Sequence, residues 1–230
     1  ASAMHCVIGV TASADNTTIY YDHWEDGYDL DLNDPSTADE TFTLNRGQVQ
    51  RFESANIPVP RTGTPPPTYY DGQDRLYAAG GAVTVTRSSW PEVTGTVFAL
   101  SWEIYPTKPF LTDYTIPVGQ NLASAPKLYD DFARVYVIVQ ATADGTTVEI
   151  NDPETAGVEV STTLNKGEVT QLYSIWAGTT VHASAPVQAQ FIVGQAQAGL
   201  YSEGRNYTAV PDSLWDREYY SPVSGHFYSG

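Results

Sequence analysis

The chain has 230 residues with 18 Gly, 15 Pro, 16 Tyr and only 17% charged side chains. That composition suits many short strands joined by turns. Its formal charge of −16, from 11 basic and 27 acidic residues, excludes a basic stripe for nucleic acid. The single cysteine excludes an internal disulfide, and no apolar run reaches the roughly 20 residues of a membrane helix.

The chain opens Ala1-Ser2-Ala3, small residues of the kind that flank a leader-peptide cleavage site, so an exported protein is expected. From Met4 the sequence alternates. Met4, Cys6, Ile8, Val10 and Ala12 share one face of a predicted strand. Asp15-Asn16 turns the chain into a second strand, Thr17 to Tyr21, which predicts a β-hairpin. The segment Asp22-His23-Trp24-Glu25-Asp26-Gly27-Tyr28-Asp29 reads as a loop. Thr43-Leu44-Asn45-Arg46-Gly47-Gln48-Val49 follows, its Asn-Arg-Gly a tight turn, and Gln48 to Phe52 is a strand. Ile57 to Thr68 is Pro-rich, extended and exposed. Further strands are expected at Ala82 to Thr86 and Thr96 to Ile104.

The pattern then repeats. Arg134 to Gln140, the Asp144-Gly145 turn and Thr146 to Ile150 form a second predicted hairpin. Ala143-Asp144-Gly145-Thr146-Thr147-Val148 matches Ala14-Asp15-Asn16-Thr17-Thr18-Ile19. Thr163-Leu164-Asn165-Lys166-Gly167-Glu168-Val169 matches Thr43 to Val49, with only Arg/Lys and Gln/Glu exchanged. Such order marks a tandem duplication. The Ala-Asp pieces begin at 14 and 143 and the Thr-Leu-Asn pieces at 43 and 163. The first copy therefore carries nine extra residues between these pieces, centred on the segment 22–29. Strands at Glu168 to Leu172, Thr180 to Ala183 and Val187 to Val193 complete the second copy, matching the first copy's strands in order. The expected fold is all-β: two tandem duplicated antiparallel β-sandwich (Ig-like) domains, 1–125 and 126–202, with an aromatic C-terminal packing arm at 203–230. A helical turn or two is expected between Leu122 and Phe132.

Tyr20-Tyr21-Asp22-His23-Trp24-Glu25-Asp26-Gly27-Tyr28 resembles the signature of bacterial surface β proteins. The repeated Ala-Asp-x-Thr-Thr and Thr-Leu-Asn-[Lys/Arg]-Gly pieces are similar to the β-sandwich repeats of the IgGFc-binding N-terminal family. The resemblance covers most of residues 7 to 200. It implies an extracellular, cell-surface location in a bacterium, no enzymatic activity, and subunits joined by donor-strand exchange into pilus-like helical fibrils. Nothing in these residues identifies an antibody contact. On this reading the partners are identical subunits, and the strand 3–12 is the donor, with Met4, Cys6, Ile8 and Val10 filling a groove and Gly9 allowing close backbone approach. The alternative is an adhesin module that binds glycan or protein through aromatic loops: His23, Trp24 and Tyr28, with Tyr69 and Tyr70.

Two other sites enter as candidates. His23, Glu25 and Asp26 carry metal-ligand and acid–base chemistry, set against plain turn capping by the carboxylates. Asp29, Asp31, Asn33 and Asp34 share a face if extended and would offer oxygens to Ca²⁺, set against a solvated acidic face. Asn16 and Asn206 sit in N-glycosylation sequons. No G-x-S-x-G elbow or P-loop is present, so no catalytic residue is assigned.

Overall fold

The structure is a computed structural model that describes residues 3–61, 63–64, 66–93, 100–123, 132–154, 157, 159–194 and 204–220. Fifteen strands are seen among them. The first copy holds β1 (Ala3–Ala12), β2 (Thr17–Asp22), β3 (Glu40–Leu44), β4 (Val49–Pro58), β5 (Arg75–Ala79), β6 (Val83–Pro91) and β7 (Leu100–Ile104). A short β8 (Asp113–Thr115) follows. The second copy holds β9 (Arg134–Ala141), β10 (Thr146–Asn151), β11 (Val160–Leu164), β12 (Tyr173–Ser174), β13 (Thr180–Ala183), β14 (Val187–Gly194) and β15 (Gly204–Thr208). The remaining elements are three single 3-10 turns, and the described residues hold no α-helix.

All-β character is as expected; the tandem sandwich arrangement is not. The strands form four small antiparallel sheets, ordered β4-β1-β6-β7, β3-β2-β5, β12-β9-β14-β15 and β11-β10-β13-β8, set as four blades of a propeller ring. Alternation in the sequence reports which side of a strand is buried, but not which sheet it joins. The two Asp-turns illustrate this. β1 is flanked on both edges by β4 and β6, so it has no free edge for β2. The turn at Asp15-Asn16 carries the chain into the neighbouring sheet instead of closing a hairpin. Asp144-Gly145 does the same between β9 and β10.

The duplication holds to the level of single hydrogen bonds. Thr17 Oγ1 donates to the Ala14 carbonyl at 2.9 Å, and Thr146 Oγ1 to that of Ala143 at 2.7 Å. Asp15 Oδ1 accepts from Arg46 N at 3.0 Å, and Asp144 Oδ1 from Lys166 N at 3.0 Å. Asn16 and Gly145 share the left-handed conformation, at φ 56° and 65°. Sheet order shows the correct correspondence: β13 stands where β5 does, β14 where β6 does and β15 where β7 does. The expected pairing of Thr180–Ala183 with Ala82–Thr86 is therefore displaced by one strand. The cause is β15, which lies beyond the point where the repeated pattern fades. The expected boundary at 125/126 and most of the expected helical turn lie outside the described residues. β8, from before that boundary, pairs with β13 after it.

Among the described residues, the buried apolar side chains fall into two clusters. One joins Cys6, Ile8, Val10 and Ala12 of β1 to Ile19, Tyr21, Leu44 and Phe52. The other gathers β9, β10, β13 and β14 around Val137, Val139, Val148 and Val187. Around the ring, Thr208 Oγ1 of β15 donates to the Glu103 carbonyl of β7, and Gln188 Nε2 donates to the Tyr105 carbonyl at 2.7 Å.

The even positions of β1 from Cys6 onward are buried and Met4 is half-buried, and Gly9 is where Thr86 comes close: a Cβ there would lie 3.1 Å from Thr86 Oγ1. Both ladders of β1 are made within this chain, Val10 standing opposite Gln50 of β4 and Val85 of β6. The strand expected to leave for a neighbour is thus the interior strand of its own sheet. The C-terminal arm packs on β8, where Asp212 accepts from Thr115 N and Oγ1 at 2.7 and 3.0 Å. Its last residues, 221–230, lie outside the described set.

Candidate functional site

The first copy has two connections longer than their counterparts in the second, residues 23–39 against 152–159 and residues 59–74 against 175–179, and the two long ones meet. Asp22, at the end of β2, is fully buried, and its Oδ1 accepts from Asp29 N and Leu30 N at 3.1 and 3.3 Å. Gly27 at φ +110° makes the tight turn between them, as only glycine does readily. Asp39 Oδ2 accepts from His23 N at 2.6 Å, and Asp74 Oδ1 from Trp24 N at 3.3 Å. The loop is held by carboxylates on its backbone N–H groups, as capping predicts.

His23, Glu25 and Asp74 converge inside. Their side chains are 6%, 1% and 3% exposed. Nδ1 of His23 lies 4.0 Å from Glu25 Oε2 and 3.7 Å from Asp74 Oδ1, too far for hydrogen bonds. On its other side, His23 Nε2 meets Glu40 Oε1 at 3.2 Å, and Tyr70 OH also donates to that oxygen. Glu25 Oε1 accepts from Arg61 Nη2 at 2.8 Å and from Tyr69 N at 3.0 Å. Asp74 Oδ2 accepts from Tyr21 OH at 2.5 Å. Arg61 lies over the rings of Trp24 and Tyr69, at 5.1 and 4.8 Å, and also binds Asp71.

Burial disfavours the imidazolium of His23, but Asp74, Glu40 and Glu25 outweigh it and its pKa is pushed up to about 9. Burial raises the carboxyl pKa of Asp74 and of Asp71, with His23 and Arg61 respectively opposing it. Burial likewise raises that of Asp22.

The expected site residues divide. His23, Trp24, Tyr69 and Tyr70 are brought together around the cluster, whereas Asp26 is exposed and outside it. Tyr28 instead turns to the second copy, its ring lying against Gly167 and Lys166, while its OH donates to the Gln73 carbonyl of the first copy at 2.6 Å. The extended acidic face proposed for Ca²⁺ is a run of turns. Asp31 Oδ1 takes Asn33 N and Nδ2, and Asp34 Oδ1 takes Ser36 N and Oγ. Among the described residues, the group of His, Cys, Asp or Glu whose ligand atoms converge is His23, Glu25 and Asp74. Asn16 is exposed at its turn. Asn206 is buried, its Nδ2 donating to Gln190 Oε1 at 3.1 Å, which closes that sequon to a glycan. Asp71, Asp74, Arg61 and Glu40 escaped the sequence reading. Tyr69-Tyr70-Asp71 repeats the Tyr-Tyr-Asp of residues 20–22 and was the available signal.

Above the cluster a cleft opens between the two copies. Trp24, Arg61 and Arg87 line it from the first. Gln140, Gln188 and Gln190 line it from the second, with Gln73 between. Each of these last three carboxamides is fixed at one end: Gln140 Nε2 on the Gln73 carbonyl, Gln188 Nε2 on that of Tyr105, Gln190 Oε1 on Asn206. The other end of each makes no hydrogen bond with the described residues. Comparison with family models, with curated proteins and with solved structures finds no match to this chain.

Proposed function

We propose that the chain is a binding module of an extracellular bacterial surface protein, and that its central cleft takes a carbohydrate. The observation that carries this reading is the cleft's chemistry: an indole beside carboxamides whose far ends bond none of the described residues. A carboxamide pairs a donor with an acceptor, which suits vicinal sugar hydroxyls, and an aromatic ring suits the apolar face of a pyranose. Both guanidinium groups are already engaged, Arg61 with Glu25 and Asp71, Arg87 with the Asp71 carbonyl. The charge of −16 opposes the approach of an anion to the cleft. The cleft, of about 190 Å³, has room for one sugar unit rather than a chain.

The test is a glycan array followed by calorimetry with the retained sugar. Gln188→Ala and Gln190→Ala should each weaken binding about tenfold, the loss of one or two hydrogen bonds. Absence of any retained glycan, or full affinity in both variants, removes the reading.

A second reading, a subunit of a surface fibre, draws on the arm. Leu214, Trp215, Tyr219 and Tyr220 are exposed, Tyr220 at 87%. Such a run suits burial against another copy. Contact through this arm would leave β1 in place. Negative-stain microscopy and sedimentation of the purified chain decide it: filaments support the reading, and a monomer at all concentrations refutes it.

A further inference from the structure

We propose that His23, Glu25 and Asp74 bind a divalent transition-metal cation of the zinc class. One ligand atom of each residue lies within 4.8 Å of the other two, and Nδ1 of His23 faces Oε2 of Glu25 and Oδ1 of Asp74. Two of the separations are 3.7 and 4.0 Å. A tetrahedral zinc with bonds of about 2.0–2.2 Å spaces its ligand atoms by about 3.4 Å. Seating the ion draws Nδ1 about 0.3 Å toward Asp74 and about 0.6 Å toward Glu25, and brings the two carboxylates, within 4.8 Å of each other, closer by up to about 1.4 Å.

The second observation is independent of the cluster's composition. Nδ1 of His23 and Oε2 of Glu25 are buried without any hydrogen-bond partner. Leaving buried polar atoms of charged groups unmatched is costly, and native interiors rarely do so. The opposite atom of each side chain is held: Nε2 by Glu40, Oε1 by Arg61 and Tyr69 N, Oδ2 by Tyr21. This is the outer support that fixes metal ligands, including the carboxylate–histidine pair that orients an imidazole. An imidazole donor selects against Ca²⁺ and Mg²⁺, which take oxygen ligands. Three protein donors leave one position for water.

The ligands come from both long connections of the first copy, His23 and Glu25 from one and Asp74 from the other. The ion is therefore a staple between two loops, and it stands independently of what fills the cleft above.

The test uses the whole chain stripped with a chelator and titrated with Zn²⁺ against a chromophoric competitor. One zinc per chain, with a dissociation constant at or below the micromolar range and a raised Tm, is expected. Glu25→Gln and Asp74→Asn should each weaken binding at least tenfold. His5→Gln, His182→Gln and Asp31→Asn should leave it unchanged. Zinc-edge X-ray absorption of the wild-type chain should show one imidazole nitrogen among oxygens, which decides the matter even if the variants fail to fold. No tight zinc, a shell without imidazole, or unchanged affinity in both carboxylate variants overturns the proposal.

Discussion

Tyr28 of the first copy lies against Gly167 of the second: a Cβ built on Gly167 would stand 1.9 Å from the Tyr28 hydroxyl oxygen. Lys166 Nζ sits 5.0 Å from the centre of the same ring. The equivalent glycine, Gly47, has nothing within 4 Å of its notional Cβ, although its φ of 77° is nearly that of Gly167 at 81°. One turn thus serves as a free corner in one copy and as a seat for the longer loop in the other.

The two glycines should separate under substitution. Gly47→Ala meets only left-handed strain, about 1–2 kcal/mol. Gly167→Ala meets that strain and also displaces Tyr28, with its hydrogen bond to Gln73, so about 3 kcal/mol or more is expected. At this chain length the Tm should fall by about 2–4 °C for each kcal/mol. Equal shifts in thermal melts would show that Tyr28 has another way to pack.

The twin turns predict a matched pair. Asp15→Ala and Asp144→Ala each remove one carboxylate from one backbone N–H, both at 3.0 Å. Each should cost about 1 kcal/mol, as loss of a capping side chain does. Urea unfolding of the two variants should agree within a few tenths of a kcal/mol. A difference above about 1 kcal/mol would mean that the surrounding loops, not the repeated turn, set the energy.

Acid stability should register Asp113. Thr112 Oγ1 donates to its carboxylate at 2.7 Å and His182 Nδ1 meets it at 2.6 Å, and together they hold its pKa below the usual value. A carboxylate depressed in the folded state stabilises above its unfolded pKa of about 3.9, and the gain is lost as pH falls through the folded pKa. The pair is more than half exposed, so the effect should stay under about 1 kcal/mol. Urea midpoints of wild type and Asp113→Asn should differ at pH 6 and converge in strong acid. A difference that persists there would assign the effect to packing.

What was legible in the sequence was local. The Ala14–Ile19 and Thr43–Val49 pieces specify turns that recur bond for bond, because Asp, Asn, Thr and Gly side chains act within a few residues. The alternation at Cys6, Ile8 and Val10 identified the buried face of β1. The partner of each strand was not legible, since nothing local shows that β4 and β6 occupy both edges of β1. The site was half visible. His23 and Glu25 stood out in the longer loop, and Ile57 to Thr68 stood out by its prolines. That the two segments meet, bringing Asp74 to His23, is a long-range fact that no spacing encodes.

The position of β1 makes deletion of residues 1–12 decisive for strand donation. β1 contributes the buried side chains Cys6, Ile8, Val10 and Ala12 and ladders to two strands. Ile8 and Val10 alone account for about 1.5–3 kcal/mol each. Their loss, with β4 and β6 left unpaired along their inner edges, is comparable with the whole stability of a domain, about 5–15 kcal/mol. The shortened chain should lose its cooperative melt and expose Phe52 and Tyr21 to solvent, seen as dye binding and aggregation. A folded, monodisperse monomer would mean the opposite: that the sheet tolerates the gap, that β1 is separable from it, and that another copy's strand has somewhere to go.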